Sequence, residues 1–526
     1  MTRPDSPIRQ PVLELAAAAR RGRLDRREFI GLASVLGVSA AGAYGLLGLA
    51  APARAQGTPV RGGTLRVAMQ IKAITDPRLY DWPEMANVAR QFCETLVRWE
   101  PDFSFSGQLL ESWEVSDDAR VYRLNLRQGV TWTNGDAFTA EDVVANLARW
   151  CDRSAEGNSM ATAMSTLIDA ETGQLAEGIV TVEDEHTVVL TLPRPDISLI
   201  PAMSDYPALI VHRGFDAAGG DLAEAPIGTG PFELAEIEVG GIARVTRRED
   251  GWWGGSAPLD AIEFIDFGSD PSATLNALEA EEADVNDESQ ADLIDQFDGL
   301  GLVRREKETA QTIVARMNVN AAPYDDPAVR RAIQSMVDNT TVMNLGVGGL
   351  GLVAENHHVG PMHPEYADLG APVLDPAAGL AAIQAAGHGD TVFELISIDG
   401  DFQRTTMDAV AGQLRAAGLT VERVVIPGAT FWNKWTEYPF SATDWGGRPL
   451  GVQVLALAYR SGEAWNETGF ADPDFDAGLD EALGIFDADR RRAVMERLQT
   501  TLRDSGVIIQ PFWRKLYLHH VEALKG

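Results

Sequence analysis

Residues 109–144 read LLESWEVSDDARVYRLNLRQGVTWTNGDAFTAEDVV. Within them Tyr122, Leu124 and Leu126 alternate with Arg123, Asn125 and Arg127, the period-2 pattern of a strand with one buried face. Thr133-Asn134-Gly135-Asp136 is turn chemistry, because Asn and Gly accept positive φ. Thr139 then stands where an N-cap belongs, and Asp142, three residues on, makes an Asp version of the capping box. Val143, Val144 and Leu147 supply the apolar face of the helix that follows.

The same alternation of strand and helix extends in both directions. Upstream, Leu65, Val67 and Met69 in GGTLRVAM mark a strand, and Val88, Phe92 and Leu96 predict a helix through about Arg98. Downstream, HTVVLTL (186–192) is a strand closed by Pro193, and PIGTGPFELAEI (226–237) leads into the strands ARVTRRE and AIEFIDF. An acidic stretch at 272–299 reads as helical, and TIVARMNVN (312–320) as a strand. In DDPAVRRAIQSMVDN (325–339) Asp326 caps a helix, Pro327 fills its first turn, and Val329, Ala332, Ile333, Met336 and Val337 form one stripe. The last third continues as TVFELISI, RTTMDAVAGQLRAAG, LTVERVVI, a Trp-rich loop region, two helical stretches and VIIQPFWRKLYLHHV. Mixed elements without an internal repeat predict α/β lobes rather than a bundle or a sandwich.

At 526 residues the chain is long enough for roughly three domains. Residues 1–55 are expected to be a leader: paired Arg26 and Arg27 precede Phe29, Ile30 and a Gly/Ala-rich apolar run, and Ala53-Arg54-Ala55 is a small-x-small cleavage site before Gln56. This segment resembles a bacterial twin-arginine export signal; an uncleaved membrane anchor is the alternative. Without it, 36 basic and 73 acidic side chains leave a net charge of −37. Such a field repels nucleic acid and anionic membrane, so neither is expected as a partner. Elsewhere the longest apolar run, LGVGGLGLVA (345–354), falls far short of the roughly 18 residues that cross a bilayer. A soluble, periplasmic mature protein is expected. The two cysteines, Cys93 and Cys151, lie in helical apolar patterns; a disulfide and two small buried thiols are both open.

The ordered set of motifs resembles one family, the periplasmic substrate-binding proteins of peptide and nickel ABC importers. LLESWEVSDDARVYRLNLRQGVTWTNGDAFTAEDVV is similar to that family's L-A-x-S-W, S-x-D-G, L-R-x-G-V and L-T-A-x-D-V succession. PIGTGPFEL resembles its P-x-G-T-G-P-Y/F segment, and MNVNAAPYDDPAVRRAIQSMVD its N-x-x-x-P-F-x-D-x-x-V-R-x-A segment. The resemblance implies a two-lobed, hinged type II binding-protein fold with an extra domain in the first lobe. It places lobe 1 at 56–98, 225–310 and 495–526, the inserted domain at 99–224, and lobe 2 at 311–494. It further implies capture of a di- or oligopeptide by cleft closure and delivery to an inner-membrane ABC permease. A monomer is expected, with no cofactor. A metal-chelate, nickel or other small-solute carrier is the alternative within the family, and a secreted hydrolase the alternative outside it.

On this resemblance Asp444, in SATDWGGRP, is expected to hold a ligand α-ammonium, and Arg404 a carboxylate. Trp432, Trp435, Trp445 and Trp465 put four of the twelve tryptophans close together in sequence, with Trp432 and Trp445 as the expected pocket walls. ENHHVGPMHP (355–364) holds His357, His358 and His363. Gly360 and Pro361 break any helix that would align them, and no C-x-x-C accompanies them. Three readings stay open: hydrogen-bonded loop histidines, a ligand-contacting loop through His358 or His363, and a metal site. Gly228 and Gly230 in PIGTGP lack the Gly-Lys-Ser/Thr ending of a phosphate loop and are read as a turn near the hinge, with Gly for backbone freedom. No G-x-S-x-G or H-E-x-x-H motif is present, so catalysis has no support in the sequence.

Overall fold

The computed structural model describes residues 10–51, 59–432 and 434–525; the expected cleavage site Ala53-Arg54-Ala55 lies outside them. The described residues fall into two compact units. The first takes Met1–Asp287, Leu483–Asp489 and His519–Gly526; the second takes Glu288–Ala482 and Arg490–Leu518.

In the first unit Thr64–Ala68 is the strand that Leu65 and Val67 predict. It pairs in parallel with Ala261–Ile265 on one side and Val285–Asn286 on the other. Ile242–Arg247 and Phe232–Ile237 extend that sheet antiparallel, over a core that includes Ile74, Tyr80, Phe92, Val245 and Phe264. A separate four-stranded antiparallel sheet orders Leu110–Val115, Val121–Leu126, Thr187–Thr191 and Val180–Asp184. Tyr122 and Leu124 are fully buried and face Val115 and Trp113 in register. The helix Ala140–Trp150 packs on this sheet through the strand Thr187–Thr191. The Thr139 N–H donates to Asp142 Oδ2 at 2.9 Å, the back half of the expected capping box.

The helix expected through Arg98 ends at Ala89. Beyond it the backbone is committed elsewhere: Gly230 N–H donates to Phe92 O, Phe232 N–H to Gln91 O, and Val97–Trp99 is a strand. Cys93 therefore lies outside any helix, and Cys151 is the cap residue of Ala140–Trp150. Both are buried free thiols, and burial pushes Cys151 up to about 12. The acidic stretch 272–299 also breaks, into Pro271–Glu279 and Ile294–Gly299, because Val285–Asn286 is drawn into the sheet beside Thr64–Ala68. Neither Gly228 nor Gly230 takes a positive φ. Their requirement is space: a Cβ on Gly228 would overlap the Phe92 carbonyl oxygen, and one on Gly230 would lie 2.8 Å from Gln91 O.

The N-terminal helices Gln10–Arg20, Arg26–Val35 and Ala40–Leu46 belong to the first unit. Among the described residues no helix is long and apolar enough to cross a membrane.

In the second unit Val303–Met317 pairs antiparallel with Phe440–Trp445, which adjoins Val392–Ile398 and then Thr420–Ile426 in parallel. The helix Asp401–Ala416 joins the last two, as a parallel pair requires. Asp326 caps Pro327–Ser335 by accepting from Ala328 N–H at 2.7 Å, and Val329, Ala332 and Ile333 enter the core as their stripe predicts. Asp338 then caps a second helix, Asn339–Gly346.

Candidate functional site

The strand Phe440–Trp445 carries Ser441, Ala442 and Thr443 into the interior and ends on Asp444 and Trp445, opposite Ile313 and Thr312. Asp444 is half-buried, and Gln403 Nε2, from the first turn of Asp401–Ala416, approaches its Oδ1 at 3.4 Å. Arg404, the next residue on that helix, is exposed.

Asp444 thus faces the helix Asp401–Ala416, while its chain neighbour Trp445, on the other face of the strand, joins the four tryptophans that gather edge to face. Ring centroids are 5.8 Å apart for Trp432 and Trp435, 6.1 Å for Trp435 and Trp445, and 5.8 Å for Trp445 and Trp465. Such T-shaped pairs are the favoured geometry of π-systems and make a rigid apolar surface. Trp432, Trp435 and Trp465 stay partly exposed, whereas Trp445 is 5% exposed.

Trp445 is held from behind by a buried charge pair that sequence reasoning missed. Its indole N–H donates to Glu467 Oε1 at 2.8 Å. Thr443 Oγ1 and Arg316 Nε donate to Glu467 Oε2 at 2.5 and 3.0 Å. The Arg316 guanidinium also donates to the carbonyls of Trp435 and Tyr438, so one side chain ties the Trp-bearing loop to the central strand. Burial pushes the Glu467 carboxyl up, against the pull of Arg316, and pushes Arg316 down. A charged residue inside the otherwise apolar strand TIVARM was the available signal.

The histidine loop lies in the interior of the second unit. His357, His358 and His363 are 1%, 1% and 2% exposed. His358 Nδ1 sits 2.7 Å from Tyr459 Oη, and its backbone N–H donates to Gln510 Oε1. His363 accepts Gly360 N–H on Nδ1 and donates from Nε2 to Arg448 O. Burial pushes His358 down to about 3 and His363 down to about 4, so both are neutral at physiological pH. The His358 ring lies 5.5 Å from Trp445 and 6.0 Å from Trp513, extending the aromatic array inward. Glu355 is pushed up by burial and brought below its ordinary value by hydrogen bonds from His357 and Tyr366. Among the described residues no group of three His, Cys, Asp or Glu side chains is arranged to hold a metal ion.

Of the residues read from sequence, the structure gathers Asp444, Trp432 and Trp445 in one region. It leaves Arg404 exposed beside Gln403 and buries His358 and His363 behind Trp445 and Trp513.

The model of the bacterial extracellular solute-binding proteins, family 5 Middle, matches residues 104–467, well over half of the chain. The glutathione-binding protein GsiB of Salmonella typhimurium is 28% identical over 471 residues, 84% of this chain and 86% of its own. The probable ABC transporter periplasmic-binding protein SapA of Escherichia coli is 29% identical over 278 residues, so the chain spans about half the length of that relative (49%). The structure of Haemophilus influenzae OppA in complex with RPPGFSPFR superposes with a TM-score of 0.80 at 17% identity, covering 89% of this chain and 96% of that one. The chain belongs to the bacterial extracellular solute-binding proteins, family 5, and it has the fold of the periplasmic peptide-binding members of that group.

Proposed function

We propose that the chain is the periplasmic solute-binding component of an ABC importer, that it captures a di- or oligopeptide by closing on it, and that it delivers the peptide to an inner-membrane permease. The observation that carries this reading is the half-buried Asp444 carboxylate at the end of the strand Phe440–Trp445, whose last residue joins a four-tryptophan surface. A carboxylate in such a place selects a cation, and an α-ammonium donates three hydrogen bonds to it and neighbouring acceptors. The tryptophans accept apolar side chains without demanding one sequence. Arg404 is assigned the carboxylate end and Trp432 the exposed wall. Trp445, His358 and His363 back that wall from the interior. GsiB is named for glutathione and OppA was complexed with RPPGFSPFR, both peptides, which supports the ligand class.

The protein acts as a monomer, catalyses nothing, and reaches the periplasm through its twin-arginine leader. Native mass spectrometry of the exported protein tests the ligand class. A co-purified solute that fragments as a short peptide is the expected result; a bound metal chelate or sugar would overturn the assignment.

A further inference from the structure

The N-terminal segment does more than extend from the chain. Asp25 and Glu28 close a reciprocal capping box at 2.8 Å each way, so Arg26 and Arg27 open a helix, Arg26–Val35. That helix buries Phe29, Ile30, Ala33 and Val35 to 1% exposure or less. What it meets is the first unit's own surface. Phe105 N–H donates to Ser34 Oγ at 2.9 Å, and Trp113 Nε1 donates to Val35 O at 2.9 Å, both buried. The Arg27 guanidinium stands 5.2 Å over the Phe103 ring. Gly37 turns at φ +85°, and a Cβ there would overlap the Trp113 carbonyl oxygen. The receiving face combines the strand Phe105–Gly107, paired with Val97–Trp99, and the strand Leu110–Val115 of the four-stranded sheet, so it exists only once both pairings have formed.

We infer that the leader docks on its own folded domain: residues 26–37 seat on Phe103, Phe105 and Trp113, burying the apolar face that follows the exposed paired arginines, and must detach for export. The inference rests on reading residues 1–55 as an export leader. Docking leaves Arg26 and Arg27 exposed but removes the apolar face of the helix from any receptor. Release uncovers Phe105 and Trp113, which are 3% and 6% exposed when covered.

Hydrogen–deuterium exchange on the full-length precursor tests the docking. Amides of residues 29–36 should exchange at least about tenfold more slowly than in a free peptide of residues 10–51, a difference of about 1.4 kcal/mol in local opening. Gly37→Val changes only the leader and should abolish the protection. Gly45→Ala, with open space around its Cβ, should retain it. Exchange as fast as in the peptide, or protection untouched by Gly37→Val, would overturn the docking. In cells Gly37→Val should hasten appearance of the exported form, and an unchanged or slower rate would overturn the release step. The double substitution Arg26→Lys, Arg27→Lys separates the two ideas: export that survives it removes the leader reading and with it the release step, while the exchange result still decides whether the segment is docked.

Discussion

Arg316 and Glu467 are each almost fully buried, and the pair supports Trp445 and the loop carbonyls of Trp435 and Tyr438 together. Removing one partner strands the other in a low-dielectric interior. Arg316→Ala should therefore destabilise the protein by about 3–5 kcal/mol in chemical denaturation. Arg316→Met combined with Glu467→Gln should recover at least half of that loss, because no unpaired charge is left; no recovery would mean that the pair acts through something other than charge compensation. His358 and His363 carry a second residue-level consequence. Burial holds them down to about 3 and about 4, whereas unfolded histidine titrates near 6.5. Between those values the unfolded chain binds protons that the folded chain excludes. Their contribution to stability is flat above about pH 6.5 and falls on acidification by about 1.4 kcal/mol per pH unit for each histidine. Denaturation midpoints at pH 7, 6 and 5 should show the decline, and His363→Gln should lessen it. An equal slope in that variant would contradict the assignment.

Among the elements, the turn at Gly228 and Gly230 is the most demanding. Thr133 N–H donates to Gly228 O and Gly230 N–H to Phe92 O, so this turn binds the Asn134-Gly135 turn to the segment after the helix Pro83–Ala89. Gly228→Val should destabilise by about 3 kcal/mol or more through overlap with the Phe92 backbone, against about 1 kcal/mol for loss of the Asp326 cap in Asp326→Ala. Comparable small losses for both would contradict the packing described. These two cases also show where the sequence was legible. Asp326, Thr139 with Asp142, and the Tyr122–Leu126 alternation are local, since period and capping chemistry declare themselves within a few residues. The end of the helix at Ala89 is not local, because the partners that claim Gln91 and Phe92 lie near Gly230 and Phe232, far along the chain. The same holds at the candidate site. Asp444 and its tryptophans were visible as a cluster in sequence, but Glu467 and Arg316 stand 151 residues apart and only folding joins them. The histidine loop was conspicuous by composition, and its burial depends on Tyr459, Arg448 and Gln510, which no spacing rule ties to it.

At the scale of the whole molecule, the charge, the α/β units and the family membership converge on an extracytoplasmic carrier. A ligand that binds only the folded protein stabilises it by mass action, about 2.7 kcal/mol at a concentration of a hundred times Kd, so a cognate peptide should raise the thermal midpoint. The central claim is narrower: Asp444 receives the amino end of a peptide. Calorimetric titration of wild type and Asp444→Ala with one peptide in free-amine and N-acetylated forms tests it most directly. The account predicts that the substitution weakens the free-amine peptide by at least about tenfold, 1.4 kcal/mol, and leaves the acetylated form nearly unchanged. Equal losses for the two forms would contradict it.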